Sequence, residues 1–217
     1  TRVFAVSKST ASDLSQYYDV DSSKLSMILS AVDEKFLEPI PDDKLKAVQQ
    51  KYGLSKPFVL CVGARRPHKN QARLLRSYIN IEDQVEHELI FVGTPDTRFD
   101  DETIDTLKAL QAKSGNTYSN VRFIEWVDES DLPALYKLAD VLTIPSIIEG
   151  FGLPAVEAMA FGTSVLASNV SSLPEVVGEA GILVDPNDTE AISQALLTLL
   201  IDNDLRATLG NRGRQRV

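Results

Sequence analysis

Val141-Leu-Thr-Ile144-Pro145-Ser-Ile-Ile-Glu149-Gly150-Phe151-Gly152-Leu153-Pro154-Ala-Val-Glu157-Ala-Met159 is the stretch whose reading decides the fold. Val141–Ile144 is a short run of the kind buried on both faces of a parallel sheet. It runs into a loop with two glycines. Pro154 then opens a helix, where its missing N–H costs nothing. Strand, glycine loop and helix in that order put free backbone N–H groups at the carboxyl edge of a parallel sheet, a place that binds anions and polar ligands. Glu149 and Glu157 bracket the loop. Carboxylates accept hydrogen bonds in pairs, so they suit the vicinal hydroxyls of a sugar or a ribose.

The same alternation extends outward. Apolar runs at Phe58–Val62, Leu89–Val92, Val121–Ile124, Ser164–Ala167 and Ile182–Val184 read as further strands. Helical stretches lie between them: Lys44–Tyr52, Asn70–Ile79, Glu102–Ala112, Asp131–Leu138, Pro154–Ala160 and Glu190–Leu200. Gly53 is a plausible residue to end the first of these. Strand-then-helix repetition predicts an α/β domain with an open, doubly wound parallel sheet.

Residues 1–36 differ. They read as strand Val3–Val6, a helix with a capping box at Thr10-x-x-Asp13, and strand Leu25–Leu29. Pro39, Pro41 and two aspartates then mark a domain edge. The chain starts at Thr1, without a methionine, and stops inside the helical stretch Asp204–Gln215. Both ends are expected to continue into a longer protein.

A second loop at the same sheet edge carries cations. Val62-Gly63-Ala64-Arg65-Arg66-Pro67-His68-Lys69-Asn70 follows a buried strand and precedes a helix. Three fixed positive charges in one such loop would neutralise a diphosphate.

Composition narrows the class. Of 217 residues, 43% are hydrophobic and 24% charged, which suits a globular domain. The net charge of −9 argues against a nucleic-acid partner or a polybasic membrane patch. No apolar run approaches the roughly 18 residues of a transmembrane segment. Cys61 is the only cysteine, which excludes an internal disulfide and makes a reducing, cytoplasmic compartment the default. No G-x-G-x-x-G follows a strand, which argues against a dehydrogenase half.

Glu149-Gly-Phe-Gly-Leu-Pro-x-x-Glu157 resembles the E-x7-E signature of the family 4 glycosyltransferases. The resemblance implies a Rossmann-like domain, the C-terminal half of the GT-B fold. On it, residues 1–36 are the end of an N-terminal domain and an interdomain segment, and 37–217 the nucleotide-sugar-binding domain. It implies that Glu149 approaches the donor sugar and that Glu157 holds the ribose. The amides of Gly150, Phe151, Gly152 and Leu153 would hold sugar and diphosphate. The cation loop resembles the family's G-R-x-x-x-x-K, with Gly63 and Lys69 in register and Ala64 where the arginine stands. Arg65 or Arg66 is then expected to substitute. Val127, in Val121-Arg-Phe-Ile-Glu-Trp-Val127, falls where the family's main chain meets the base.

The resemblance therefore implies a retaining hexosyltransferase with Glu149, Lys69 and Arg65 as its catalytic groups, and no metal or other cofactor. The substrate would be a nucleoside diphosphate sugar, such as GDP-mannose or a UDP-sugar. Arg-Pro-His-Lys-Asn and Ser-Ser-Leu-Pro-Glu lean towards mannosyltransferase-like members. A carbohydrate or lipid-linked acceptor would be held by an N-terminal acceptor domain or subunit, through which the protein could lie at a membrane periphery. A noncatalytic sugar-nucleotide-binding or scaffolding domain would keep the same fold, and ligand titration separates the two.

Overall fold

The computed structural model describes residues 2–217. Its centre is a six-stranded, wholly parallel sheet made of β3 (Phe58–Val62), β4 (Glu88–Val92), β5 (Val121–Ile124), β6 (Val141–Ile144), β7 (Ser164–Ser168) and β8 (Gly181–Val184), in the spatial order 5-4-3-6-7-8. The chain winds outward from β3 in one direction and from β6 in the other. The order reverses between β3 and β6, which pair through Val59↔Val141 and Leu60↔Leu142. An open α/β sheet binds ligands in the crevice outside the carboxyl ends of its strands at such a reversal.

Period-two alternation sorts the strand side chains into two cores. Leu60, Ile90, Leu142 and Val165 face one cluster, which the helices α2 (Asp42–Tyr52), α5 (Leu132–Leu138) and α6 (Leu153–Ala160) cover. Val59, Cys61, Leu89 and Leu166 face the other, covered by α3 (Gln71–Ile79) and α8 (Thr189–Ile201). Burial on both faces is why these strands read as continuous apolar runs. Helix α4 (Glu102–Ser114) packs beside α3. The short α7 (Leu173–Val177) starts at a Leu-Pro pair, and α9 (Asn203–Arg216) crosses back over β7 and α6.

Element ends follow local chemistry. Gly53 closes α2 at φ 62. Asp101, Asp188 and Asp202 cap α4, α8 and α9 through their side chains. Gly93 has φ 136, and a Cβ there would lie 2.4 Å from the carbonyl oxygen of Gly63, so the loops after β3 and β4 can touch only because that residue is glycine. No helix among the described residues is long and apolar enough to cross a membrane.

Residues 3–27 form a separate unit: β1 (Val3–Ala5), α1 (Lys8–Tyr18) and β2 (Leu25–Met27), the strands paired in parallel. Two expectations are corrected here. The strands stop at Ala5 and Met27, not at Val6 and Leu29, because Ser7 leaves β1 to cap α1 and β2 then has no partner beyond the bond from Ile28 N to Ala5 O. The cap is Ser7, whose hydroxyl accepts from Thr10 N at 3.0 Å, so Thr10 lies inside the helix and Thr10-x-x-Asp13 is not the capping box. The unit rests on the larger domain through Glu175, whose carboxylate accepts the amides of Lys8 (3.0 Å) and Ser9 (3.1 Å) at the start of α1. Phe36 is buried in the first core against Tyr136 and Phe161.

Candidate functional site

Two loops leave the sheet at its reversal point. Gly63–Asn70 joins β3 to α3, and Pro145–Gly152 joins β6 to α6. They are tied together. Ile147 N donates to His68 O at 2.8 Å, and the Asn70 amide donates to Pro145 O (3.0 Å) and to Pro186 O (2.7 Å). Asn70 holds this position with φ 56, so α3 starts one residue later than its sequence pattern suggests. Between the loops the Lys69 ammonium lies 2.7 Å from Glu149 Oε1, and the buried Ser146 hydroxyl donates to the same oxygen at 2.7 Å. Both charged side chains are mostly buried, at 21% and 11% exposure, which strengthens the attraction between them.

The loop then turns into α6. Gly152 occupies the N-cap position with φ 97 and contributes no side chain to the first amides of the helix. A Cβ at Gly152 would come within 2.8 Å of Leu173 Cδ2, so the turn is pressed against the start of α7. Gly150 and Leu153 are exposed, Phe151 is half-buried, and Gly152 between them is buried, against the expectation that all four amides line the site alike. Pro154 is the second residue of α6 rather than the first, and its ring still falls where an N–H would be without an intrahelical partner.

Glu157 lies on α6. The Tyr136 hydroxyl, from the buried side of α5, donates to Glu157 Oε2 at 2.7 Å. Burial pushes the Glu157 carboxyl above the usual carboxylate range, while Tyr136 and the charge of Lys35 pull it down. Burial and the neighbouring Glu157 charge hold the Tyr136 phenol well above its ordinary value, so it serves as a donor. Lys35 itself pairs with Glu129 at 2.5 Å in the loop after Val127. Val127 is half-buried against the first core, and the adjacent Trp126 is exposed.

The three cations of the first loop separate. Lys69 faces Glu149. Arg65 turns under the loop instead. It is buried, its Nε donates to Asp101 at 2.8 Å, its Nη1 donates to Gly93 O at 2.6 Å, and its guanidinium sits 5.3 Å from the centre of the Phe123 ring. Buried and bonded to these fold partners, Arg65 joins the loops after β3 and β4 and does not stand beside Lys69 facing the other loop, where a group replacing the arginine at Ala64 was expected. Arg66 is partly exposed and pairs with Asp96 at 2.7 Å, a carboxylate that also binds Arg98. Gly63 stays at the end of β3, its carbonyl accepting from the Gln71 amide at 3.2 Å.

Two other reactive side chains are quiet. Burial pushes the Cys61 thiol up to about 12, so it is no nucleophile. Burial and Lys69 lower the His68 imidazole, which keeps it neutral.

Sequence reasoning missed Tyr136, Ser146 and the serines of the β7–α7 loop. A tyrosine within an apolar helix is a usable signal, because a buried phenol needs a partner. Ser171 and Ser172 were marked only as part of the Ser-Ser-Leu-Pro-Glu resemblance, with no contact assigned to them, and Ser146 carried no mark.

The sequence pattern of the family described as "Glycosyl transferases group 1" matches residues 43–216. The O-antigen chain mannosyltransferase B of Escherichia coli is 34% identical over 214 residues, covering 97% of this chain and 54% of that protein. The chain thus spans about half the length of that relative. A glycosyltransferase from Rickettsia africae superposes with a TM-score of 0.85 over all of this chain and 58% of its own, at 22% identity, which speaks for the fold alone. The C-terminal domain of a group 1 glycosyl transferase family protein from Francisella tularensis superposes with a TM-score of 0.72 at 25% identity, covering 86% of this chain and 96% of its own. The doubly wound sheet is that of the GT-B glycosyltransferases, and it corresponds to their C-terminal half.

Proposed function

The chain belongs to the group 1 glycosyl transferases, and from that membership we propose that it is the nucleotide-sugar-binding domain of a retaining enzyme. The whole protein transfers a hexose from a nucleoside diphosphate sugar to an acceptor hydroxyl. The observation that carries this reading is the Lys69–Glu149 pair, 2.7 Å apart at the point where the strand order reverses, with Glu157 on the helix that follows.

Each group has a part in the chemistry. As the bond from the anomeric carbon to the diphosphate breaks, negative charge grows on the departing oxygen. Lys69 and the backbone amides at the start of α6 stabilise that charge, and they are already in place before it forms. Glu149 accepts hydrogen bonds from the sugar hydroxyls and orients the anomeric carbon. Glu157 accepts the ribose hydroxyls. Arg66, on the open side of the loop, is the second cation available to the diphosphate. The backbone at Val127 meets the base. The chemistry calls for no metal or other cofactor, since fixed cations and amides supply the positive charge.

Mannose is the proposed hexose, in line with the name of the Escherichia coli relative and with the Arg-Pro-His-Lys-Asn and Ser-Ser-Leu-Pro-Glu stretches. The acceptor, a carbohydrate or a lipid-linked sugar, is held by an N-terminal domain in the same protein or in a partner subunit. Such a protein would work in the cytoplasm, at the membrane periphery where the acceptor is lipid-linked. Calorimetric titration with GDP-mannose, UDP-glucose and UDP-N-acetylglucosamine tests the donor, and absence of heat with all three would refute the reading. A radiolabelled transfer assay on the 217-residue chain with mixed acceptors tests the division of labour. Binding without turnover is expected, and brisk turnover would place the acceptor site within this chain.

A further inference from the structure

Ser171 has a backbone conformation usually left to glycine. Its φ is 58, in the left-handed region, where a Cβ crowds the following carbonyl. A non-glycine residue held there raises the question of what its side chain does. The hydroxyl of Ser171 donates to Glu149 O at 2.7 Å and accepts from Glu149 N at 3.1 Å. The hydroxyl of its neighbour Ser172, fully buried, donates to the same Glu149 carbonyl at 3.0 Å. Leu173, the next residue, packs where a side chain on Gly152 would lie. Two residues of the β7–α7 loop and the first residue of α7 therefore hold both ends of the turn from Glu149 to Gly152. The backbone of Glu149 is bound by side chains of another loop on its donor and its acceptor side.

We propose that Ser171 and Ser172 are positioning residues that clamp the backbone of Glu149, and that the clamp sets how the site responds to the sugar of a nucleotide sugar. The proposal rests on the reading of Glu149 as the sugar-facing carboxylate. The serines touch no nucleotide themselves. They act by fixing the direction of the Glu149 side chain, whose tip is in turn held by Ser146 and Lys69. A hydrogen-bonded backbone leaves the carboxylate only its own side-chain rotations, so its approach to the sugar hydroxyls is set before binding.

The test separates this role from an ordinary turn. Ser171→Gly removes the hydroxyl and the backbone strain together, and Ser172→Ala removes one bond without adding strain. Both variants of the 217-residue chain are titrated with GDP and GDP-mannose, and with UDP and UDP-glucose. Their thermal midpoints are recorded alongside, with Glu149→Ala as the reference. We expect Ser171→Gly to keep or raise the midpoint and to keep the affinity for the free diphosphate. The affinity ratio between nucleotide sugar and free diphosphate should fall about tenfold, in the same direction as for Glu149→Ala. Ser172→Ala should show a smaller fall. Unmoved ratios in both variants, with wild-type binding intact, would overturn the clamp and leave the reading of the site standing. So would a parallel loss of both affinities and of the midpoint, which marks a merely structural loop. A wild-type chain that binds none of the four ligands would overturn the reading of the site and the clamp together.

Discussion

The two loops at the reversal point carry charge of opposite sign and use it differently. In Gly63–Asn70 three cations stand within five positions, and only Lys69 faces the other loop. In Pro145–Glu157 one carboxylate, Glu149, faces the cation loop and the other, Glu157, lies on the following helix against Tyr136. The difference lies in who holds each charge. Arg65 is buried on Asp101, and Arg66 pairs with Asp96 but stays partly exposed; both acids arrive from the loop after β4. Glu157 is held by the neutral hydroxyl of Tyr136, which orients a carboxylate without neutralising it, and Glu149 is shared between the Ser146 hydroxyl and the Lys69 ammonium of the facing loop. A charged residue in a binding loop is thus available to a ligand only when its fold partners leave it some capacity.

The harshest test of that contrast is Arg65→Ala. If Arg65 serves the fold, its loss leaves Asp101 without its buried partner and lowers unfolding stability by roughly 3 kcal/mol. Affinity of the folded fraction for a nucleoside diphosphate should hardly change. Chemical denaturation and titration of one preparation measure both, and a large affinity loss at intact stability would return Arg65 to the site. Next comes the carboxylate pair. Glu157→Ala should cost roughly 1.5–3 kcal/mol of free diphosphate affinity through its lost charged hydrogen bonds. Glu149→Ala should leave that ligand nearly untouched and weaken only the nucleotide sugar. Equal losses with the free diphosphate would erase the distinction between them.

Lys69→Ala is expected to weaken nucleoside diphosphate binding about tenfold while sparing the nucleoside. The difference should shrink at high salt. Like losses for both ligands would make Lys69 a support for Glu149 alone. The smallest effect is in pH. Burial holds the Glu157 carboxyl above the usual range, so between its ordinary value and the raised one the folded protein binds more protons than the unfolded chain. Stability should therefore fall as pH rises through that window. Nucleotide affinity should move the other way and rise, since the ionised carboxylate is the better acceptor for ribose hydroxyls. Glu157→Gln should flatten both profiles, and slopes of the same sign would contradict the assignment.

Much of this architecture was legible from residue order. Strands buried on both faces announced themselves at Phe58–Val62 and Val141–Ile144, and Gly53 and Pro154 marked helix ends to within a residue by chemistry that acts within a turn. The strand–loop–helix at Glu149–Glu157 pointed to the candidate site because its signals are local. What was illegible depends on contacts between distant positions. Arg65 meets Asp101 across 36 positions, Tyr136 meets Glu157 from a neighbouring helix, and Ser171 reaches Glu149 across 22. The register of Ser7 over Thr10 also escaped, since both are good caps and only the end of β1 decides between them.

The cap that Glu175 places on α1 ties one end of that helix to the larger domain. Its eleven residues make a rod about 16 Å long, pivoted where the amides of Lys8 and Ser9 meet the carboxylate. Beside the pivot, the Thr10 hydroxyl donates to Gly150 O at 3.2 Å, inside the turn that follows Glu149. A swing of about 3 Å at Tyr18, the far end of the rod, is a rotation of only about 10° on that length. Near Thr10 the same rotation is a fraction of an ångström. A rotation of α1 about that contact would thus shift the residue touching the glycine turn several-fold less than it shifts Tyr18.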